Sequence, residues 1–319
     1  MNLIDEAVIV ELFGIRMYAF GLYVAIGAVF AVIVLAITGK ILGLKKGTVP
    51  LTALLATICG IVISRIAFCL LNQELAEMTP ISFWPQLNGG GWSMFGLIGG
   101  LFLAGWISAR VMNEKSGKIL DALSLSVLPL IAAERIGESR IEDFDISRPI
   151  DSDFLARSFL AVGEEEPCLA TYYLAAAVAA ALFIVLAFRF VRREKDGSLT
   201  VAFLLLFGAS AIITESLRYD RFLSISFVGL QQVAAAIMLA LGVFLAIPRS
   251  GKPGSALAIA AIVSLPLMVG AVIGLEFALD RTTWNKIIIY IIMIATVGIP
   301  AGLGMKLLSM GKGNEDVRE

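Results

Sequence analysis

The chain has 319 residues, of which 59% are hydrophobic and only 16% are charged, and its mean hydropathy is +0.90. An average soluble domain carries about 25% charged residues, so this composition excludes a water-soluble fold and places any chemistry at or in a bilayer. The chain has no histidine, which removes the commonest general base, and its three cysteines form no C-x-x-C pair that would indicate a zinc site or a disulfide framework.

Apolar runs of 18 or more residues recur along the whole chain. A helix rises about 1.5 Å per residue, so each run is long enough to cross a hydrocarbon core about 30 Å thick. The first run, from Tyr18 to Ile37, is too long for the core of a signal peptide, and we expect it to be retained as a span. The pattern predicts an all-α polytopic membrane helix bundle with about nine spans, at residues 15–38, 50–71, 93–112, 119–137, 168–190, 199–219, 228–248, 255–279 and 285–308.

The connections between spans differ in charge. Those after odd-numbered spans are short and basic, with Lys40, Lys45 and Lys46 in the first of them. The positive-inside rule predicts that these connections and the C-terminus face the cytoplasm and that the N-terminus lies outside. The longer loops, 72–92 and 138–167, then lie outside, and the second is acidic. We interpret its carboxylates as a solvated face and predict no metal site.

Four arginines fall in the half of the bilayer that this topology makes the outer one. An arginine at membrane depth costs about 2.5–3.5 kcal/mol on insertion scales, so such residues usually face the bundle interior and have partners. Two of them have a glutamate three residues away, on the same helix face. They could be structural ion pairs or anchors, or they could line a cavity for a phosphate, which a guanidinium binds through two hydrogen bonds. The four are Arg16, Arg65, Arg135 and Arg218, and the two glutamates are Glu138 and Glu215.

A glycine-rich stretch, residues 89–100, opens the third span on the same predicted side. Gly96, Gly99 and Gly100 are spaced at i, i+3 and i+4, which predicts a common face and a close helix contact. Plain helix packing and a part in a binding site are both consistent with this spacing.

Five stretches, taken in order between Gly14 and about Ile247, resemble motifs of one bacterial enzyme family. The sequences G-I-R-M-Y, S-R-I-A-F and G-G-W-S-M-F-G-L-I-G-G are similar to its I-R-W-Y, G-R-I-G-Y and G-G-M-S-F-H-G-G-L-I-G. The sequence E-R-I-G with the acidic loop after it, and T-E-S-L-R-Y-D followed by L-Q-Q, resemble its G-R-x-G-N-F-x-N-x-E, and its V-E-F-x-R-x-P-D with the later M-G-Q. The family is that of the prolipoprotein diacylglyceryl transferases. The first four stretches are Gly14–Tyr18, Ser64–Phe68, Gly90–Gly100 and Glu134–Gly137, and the fifth is Thr214–Asp220 together with Leu230–Gln232.

The resemblance implies a seven-helix transferase-like membrane domain within residues 1–250, with two additional helices and a cytoplasmic tail in 251–319. The implied reaction moves the diacylglyceryl group of phosphatidylglycerol to the thiol of a lipobox cysteine in a prolipoprotein, at the outer leaflet of the bacterial cytoplasmic membrane. The expected partners are phosphatidylglycerol, the lipobox segment and membrane lipid. No cofactor, metal or nucleic acid is expected.

The resemblance also implies roles for single residues. Arg135 and Arg218 would stabilise the leaving phosphate, and Asp143, with Glu142 beside it, would be the base that produces the thiolate. The substrate-binding residues would be Arg16, Tyr18, Arg65, Glu138, Glu215, Gly96 and Gly99.

The chain departs from the family pattern at several polar positions. Met94 stands where the family has a histidine, Glu138 where it has an asparagine, and Ala211 where it has an arginine. Two other interpretations therefore stay open. One is a catalytically inactive family member that binds lipid or a lipoprotein segment, and the other is a transporter of phospholipid.

Overall fold

Long helices make up most of the described chain. The computed structural model describes residues 8–12, 15–71, 92–141, 146–150, 156–158, 160–163, 166–192, 195–218, 224–225, 228–282 and 284–313. Nine long helices lie within those ranges: α1 Ala19–Ile41, α2 Thr48–Leu71, α3 Met94–Met112, α4 Ser116–Gly137, α5 Thr171–Val191, α6 Ser198–Leu217, α7 Leu230–Arg249, α8 Ala256–Arg281 and α9 Lys286–Gly313.

Eight of these helices, all except α4, are long and apolar enough to cross a membrane. Helix α4 has 22 residues, which is also sufficient length, but it carries Asp121, Glu134 and Arg135. The predicted fold class, an all-α polytopic membrane helix bundle, is confirmed.

The helix ends differ from the predicted spans by a few residues. The first helix begins at Ala19 and not at residue 15, because residues 15–18 form a strand, and the fifth begins at Thr171 because residues 168–170 form another. Hydropathy alone does not separate a short apolar strand from the first turn of a helix. The last helix continues to Gly313, five residues beyond the predicted end.

Short antiparallel strands lead into three of the helices. The strands are β1 Val8–Leu12, β2 Ile15–Tyr18, β3 Ile146–Pro149, β4 Ala161–Val162, β5 Cys168–Ala170, β6 Ser224–Ile225 and β7 Val228–Gly229. They form the pairs β1-β2 and β6-β7 and the three-stranded sheet β3-β5-β4. Strands β2, β5 and β7 end directly before α1, α5 and α7. These are odd-numbered helices, which the predicted topology starts on the outer side.

The chain divides into two compact units, one formed by Met1–Phe183 with Leu217–Leu223 and the other by Ile184–Ser216 with Ser224–Glu319. In the first unit α1 packs against α4, α2 against α3, and α3 against α4. Small residues permit these contacts: a Cβ placed on Gly27 of α1 would lie 2.7 Å from the Cβ of Ala133 in α4.

Helix α3 approaches α2 through Gly96 and Gly100 but not through Gly99. A Cβ on Gly96 would lie 2.8 Å from Ser64 Cα, and one on Gly100 would meet the Cys59 carbonyl, whereas a Cβ on Gly99 would meet no heavy atom within 4 Å. The prediction that all three glycines share the contact face is therefore wrong for Gly99. At about 100° per residue, Gly100 lies about 40° from Gly96 around the helix axis, and Gly99 lies about 60° away in the other direction.

The connections after α1 and α3, both predicted to face the cytoplasm, lie at the same end of the first unit. Lys45 Nζ donates to the carbonyls of Met112 and Asn113 at 2.9 and 2.8 Å, and the Lys45 amide donates to Glu114 Oε1 at 2.9 Å. Lys118 Nζ donates to the carbonyl of Leu42 at 3.3 Å. The basic side chains thus bind the carbonyls at helix C-termini, where positive charge is favoured.

In the second unit α7, α8 and α9 pack against one another. Helix α6 contacts α7 closely at Gly208, where a Cβ would lie 2.7 Å from the backbone nitrogen of Leu239. Gly304 of α9 approaches the side chain of Leu205 in α6, at 2.6 Å from a hypothetical Cβ. Helix α9 therefore packs into this unit through the same kind of small-residue contact as α6 and α7.

Candidate functional site

Arg135 lies in the last turn of α4, at the end of the first unit opposite Lys45. Its side chain is buried, and its Nη1 donates to both carboxylate oxygens of Glu138 at 3.1 and 3.0 Å. Glu138 is itself only 4% exposed and begins a short 3-10 turn after α4. The pairing predicted from the three-residue spacing is therefore confirmed.

Two further side chains surround the Arg135 guanidinium. Its Nε lies 3.6 Å from Glu134 Oε2, and its Nη2 lies 3.3 Å from the thioether sulfur of Met94. Met94 is the first residue of α3, and the sequence resemblance implies that the family has a histidine there. This position therefore contacts the arginine of the neighbouring motif, although a thioether is only a weak acceptor and carries no proton.

The start of α3 is fixed to the end of α2 by a pair of serines. Ser64 Oγ donates to the carbonyl of Ser93 at 2.8 Å, and the Ser93 amide donates back to Ser64 Oγ at 2.9 Å. Ser93 is also the N-cap of α3, where its side chain accepts from the Gly96 amide at 3.2 Å. This arrangement determines where Met94 lies and so which side chain faces Arg135.

Arg65, the residue after Ser64, is buried near two aromatic rings. Its guanidinium carbon lies 5.8 Å from the centroid of Phe68 and 5.7 Å from that of Trp92, within the range of a cation–π contact. The Ser64–Ser93 contact joins α2, which carries Arg65, to α3, and the Met94–Arg135 contact joins α3 to α4. Both arginines thus lie at the same end of the first unit.

The second unit holds a separate polar group at the junction of α6 and α7. Glu215 is 6% exposed, and Gln231, with its amide nitrogen turned to the carboxylate, donates to both Glu215 oxygens at 2.9 and 3.1 Å. Arg218 directly follows α6 and is also buried, but it belongs to the first unit. Both belong to the fifth of the stretches that resemble the family motifs.

The remaining predicted residues lie elsewhere or outside the described residues. Tyr18 is half-buried and immediately precedes α1, and Arg16 lies in β2 with Glu11 as its register partner. Gly96 packs against α2, and Gly99 faces open space. Glu142 and Asp143 lie outside the described residues.

Several polar contacts were missed from the sequence. Ser93 had a signal, since a serine directly before an apolar helical run is a typical N-cap. The sequence also carried a signal at Glu276, which is a single carboxylate inside an apolar span. Placing an ionisable side chain there costs free energy, and such residues are usually functional. The contacts of Ser64 with Ser93 and of Met94 with Arg135 had none, because each joins two helices.

A family model described as prolipoprotein diacylglyceryl transferase matches residues 7–248, which is more than half of the chain. The chain belongs to the prolipoprotein diacylglyceryl transferase family. The match begins before α1 and ends in α7, so it includes Arg65, Met94, Arg135 and Glu215 and leaves out α8 and α9.

A curated relative from Clostridioides difficile (strain 630) is named phosphatidylglycerol--prolipoprotein diacylglyceryl transferase. It is 29% identical to this chain over 129 residues, which is 40% of this chain and 51% of the relative. The chain thus aligns with about half the length of the curated relative that it matches. Family membership therefore rests on the longer match to the family model.

Proposed function

We propose that this protein transfers the diacylglyceryl group of phosphatidylglycerol to the thiol of a lipobox cysteine in a prolipoprotein. The observation that carries the proposal is the buried Arg135, held by Glu138 at the position of a family motif. The name of the Clostridioides difficile relative supports the same pair of substrates.

The reaction forms one bond and breaks one. The cysteine sulfur attacks the carbon of the diacylglyceryl group that is bonded to the phosphate oxygen. The carbon–sulfur bond forms, the bond between that carbon and the phosphate oxygen breaks, and the other glycerol unit leaves as glycerol phosphate. The thiol proton goes to a base, because the thiolate is the nucleophile. Negative charge develops on the leaving phosphate, so a guanidinium fixed in advance beside it stabilises the transition state more than the bound lipid.

The Arg135 edge that faces Met94 is where we expect the leaving phosphate. Nη1 is engaged by the Glu138 carboxylate, whereas Nη2 contacts the weak acceptor sulfur of Met94. A phosphate oxygen is a far stronger acceptor and can take the place of the sulfur. Glu138 then acts as the group that orients the guanidinium.

The other site residues remain part of the proposal. Arg218 is the second arginine for the phosphate. The residues that bind substrate are Arg16, Tyr18, Arg65, Glu215, Gly96 and Gly99. Burial of Arg65, Arg218 and Glu215 supports a polar interior, because charged side chains in membrane helices usually face away from lipid.

Location and orientation complete the proposal. The protein is a multi-pass protein of the bacterial cytoplasmic membrane with its N-terminus outside and its C-terminus in the cytoplasm. Support comes from the basic connections after α1 and α3, which lie together at one end of the first unit, opposite Arg135. The site then opens to the outer leaflet, where a secreted preprotein arrives.

We expect Asp143→Asn to lower the rate of transfer by about 100-fold, because a general base contributes about 10²–10⁴. The rise of kcat/KM with pH that reports ionisation of the base should also disappear. Asp151→Asn, the same change in the part of the acidic loop that we interpret as a solvated face, is the matched control and should keep that rise. A rate and pH profile unchanged by Asp143→Asn would remove Asp143 as the base.

A second function is favoured by one observation. Met94 contacts Arg135 where the family has a histidine, and a thioether can neither take nor give a proton. This favours a family member that binds phosphatidylglycerol or a lipoprotein segment without transferring the lipid.

One assay separates the two functions. The purified protein, in liposomes that contain phosphatidylglycerol, is mixed with a lipobox peptide, and the peptide mass is followed. We expect the peptide to gain one diacylglyceryl group, and a peptide with serine in place of the lipobox cysteine to gain none. Retained binding of phosphatidylglycerol with no change of peptide mass would overturn the transferase proposal and support the binding protein.

A further inference from the structure

Glu276 is a carboxylate buried inside α8, in the part of the chain that follows the family match. It is 1% exposed, and the 20 residues before it, 256–275, include no other charged side chain. An ionisable group at such a position is expensive to insert and is a candidate for a functional role. The transfer mechanism outlined above makes no use of it.

The partner of Glu276 is Gln232, in the first turn of α7. Gln232 Nε2 donates to Glu276 Oε1 at 2.7 Å and to the carbonyl of Ile212 in α6 at 3.2 Å. Gln232 Oε1 accepts from the Gly229 amide at 3.1 Å, at the start of α7. One buried amide thus connects three helices, and it is the glutamine that aligns with the family M-G-Q motif.

Three groups agree on which way this amide points. The carbonyl of Ile212 and Oε1 of Glu276 accept hydrogen bonds from the NH₂ group of Gln232, and the Gly229 amide donates to its oxygen. The neighbouring Gln231 holds Glu215 in the last turn of α6. The orientation of the first turn of α7 is therefore linked to the position of the Glu215 carboxylate.

Helix α9 makes a second contact with the same turn of α6. The hydroxyl of Tyr290 donates to the carbonyl of Ser216 at 3.2 Å. Helix α9 thus contacts residues 212–216 directly, through Ser216. Helix α8 contacts the first turn of α7 through Glu276, and that turn also contacts Ile212. Arg218, a proposed phosphate ligand, follows Ser216 by two residues.

We propose that Glu276 is a positioning residue for transfer, which acts through Gln232 on the end of α6 that carries Glu215 and precedes Arg218. The inference rests on the proposed function. It gives α8 and α9 a role. These two helices make the contacts that hold the end of α6, residues 212–216, in place. A displacement of about 1 Å in such a segment can lower a rate by about 100-fold without any loss of the catalytic group itself.

The test compares three variants in the liposome assay. Glu276→Leu removes the acceptor, and we expect kcat to fall about tenfold or more with KM for the peptide changed less than about threefold. Glu276→Gln keeps an acceptor oxygen for Gln232 and should retain kcat within about threefold of the unmodified protein. Met268→Ala is the matched control, since Met268 is 2% exposed in α8, eight residues before Glu276, and makes no polar contact with Gln232. It should lower thermal stability but not kcat per folded protein.

Hydrogen exchange in the same samples gives a readout that does not depend on activity. Glu276→Leu should speed exchange of the amides in 212–218 and 229–232 and leave those in 93–100 unchanged, while Met268→Ala should change neither. Unaltered kcat in Glu276→Leu, with or without faster exchange, would overturn the positioning role. An inactive unmodified protein would overturn the proposed function instead, and exchange would then decide whether Glu276 holds this segment at all.

Discussion

Replacing Arg135 by Met and Glu138 by Gln together should lower diacylglyceryl transfer by about 1,000-fold while the protein stays folded in the membrane. The rate falls because one fixed donor to developing charge contributes about 10²–10³, and the double variant removes both the guanidinium and the carboxylate that orients it. The fold survives because the pair is removed as a pair, whereas Arg135→Ala alone would leave the buried Glu138 carboxylate without its cation. Transfer is measured by peptide mass, and folding by thermal unfolding in detergent.

Two single variants sharpen this prediction. Arg135→Lys keeps the charge for Glu138 but loses the planar fork, so we expect an intermediate loss of about 100-fold. Arg140→Ala is the matched control, since Arg140 lies in the 3-10 turn after α4, is exposed, and donates to the Tyr23 hydroxyl at 3.4 Å. It should transfer normally. A folded double variant that transferred at the unmodified rate would show that Arg135 is a structural ion pair.

The fold was largely predictable because a lipid environment restricts it. Each backbone amide must be satisfied within the membrane, so every long apolar run is a helix, and its length is set by the bilayer thickness. The errors occur where this restriction ends, at the ends of the spans. The runs that contain β2 and β5 are apolar but do not continue their helices, because their backbone groups pair with neighbouring strands.

The site was predictable to the extent that its contacts are local. Glu138 follows Arg135 by three residues and keeps a right-handed helical backbone directly after α4, so their pairing follows from helix geometry. Gly99 shows the limit of such spacing, because three positions on a broad face do not all reach the same neighbour.

Contacts between distant residues required the structure. Ser64 and Ser93 are separated by 29 residues, and Gln232 and Glu276 by 44. Nothing in either local sequence indicates the partner. The departure at Met94 likewise became interpretable only when its sulfur was found beside Arg135.

Gly100→Ala should destabilise the protein by about 1–3 kcal/mol, the usual effect of an added methyl group in a closely packed interface. The new Cβ would meet the carbonyl of Cys59 and lie 2.8 Å from the Cα of Gly60. These are backbone atoms, so α2 and α3 must move apart. Thermal unfolding in detergent measures the loss of stability.

Gly99→Ala is the control from the neighbouring position. A Cβ there would meet no heavy atom within 4 Å, and alanine is favoured over glycine within a helix by about 1 kcal/mol, so stability should be unchanged or higher. Transfer should also fall in Gly100→Ala, because separation of α2 from α3 strains the Ser64–Ser93 hydrogen bonds that place Met94 beside Arg135. Equal stability of the two variants would contradict the close α2–α3 contact. A stability loss in Gly100→Ala with full transfer per folded protein would separate this contact from the function of the Arg135 site.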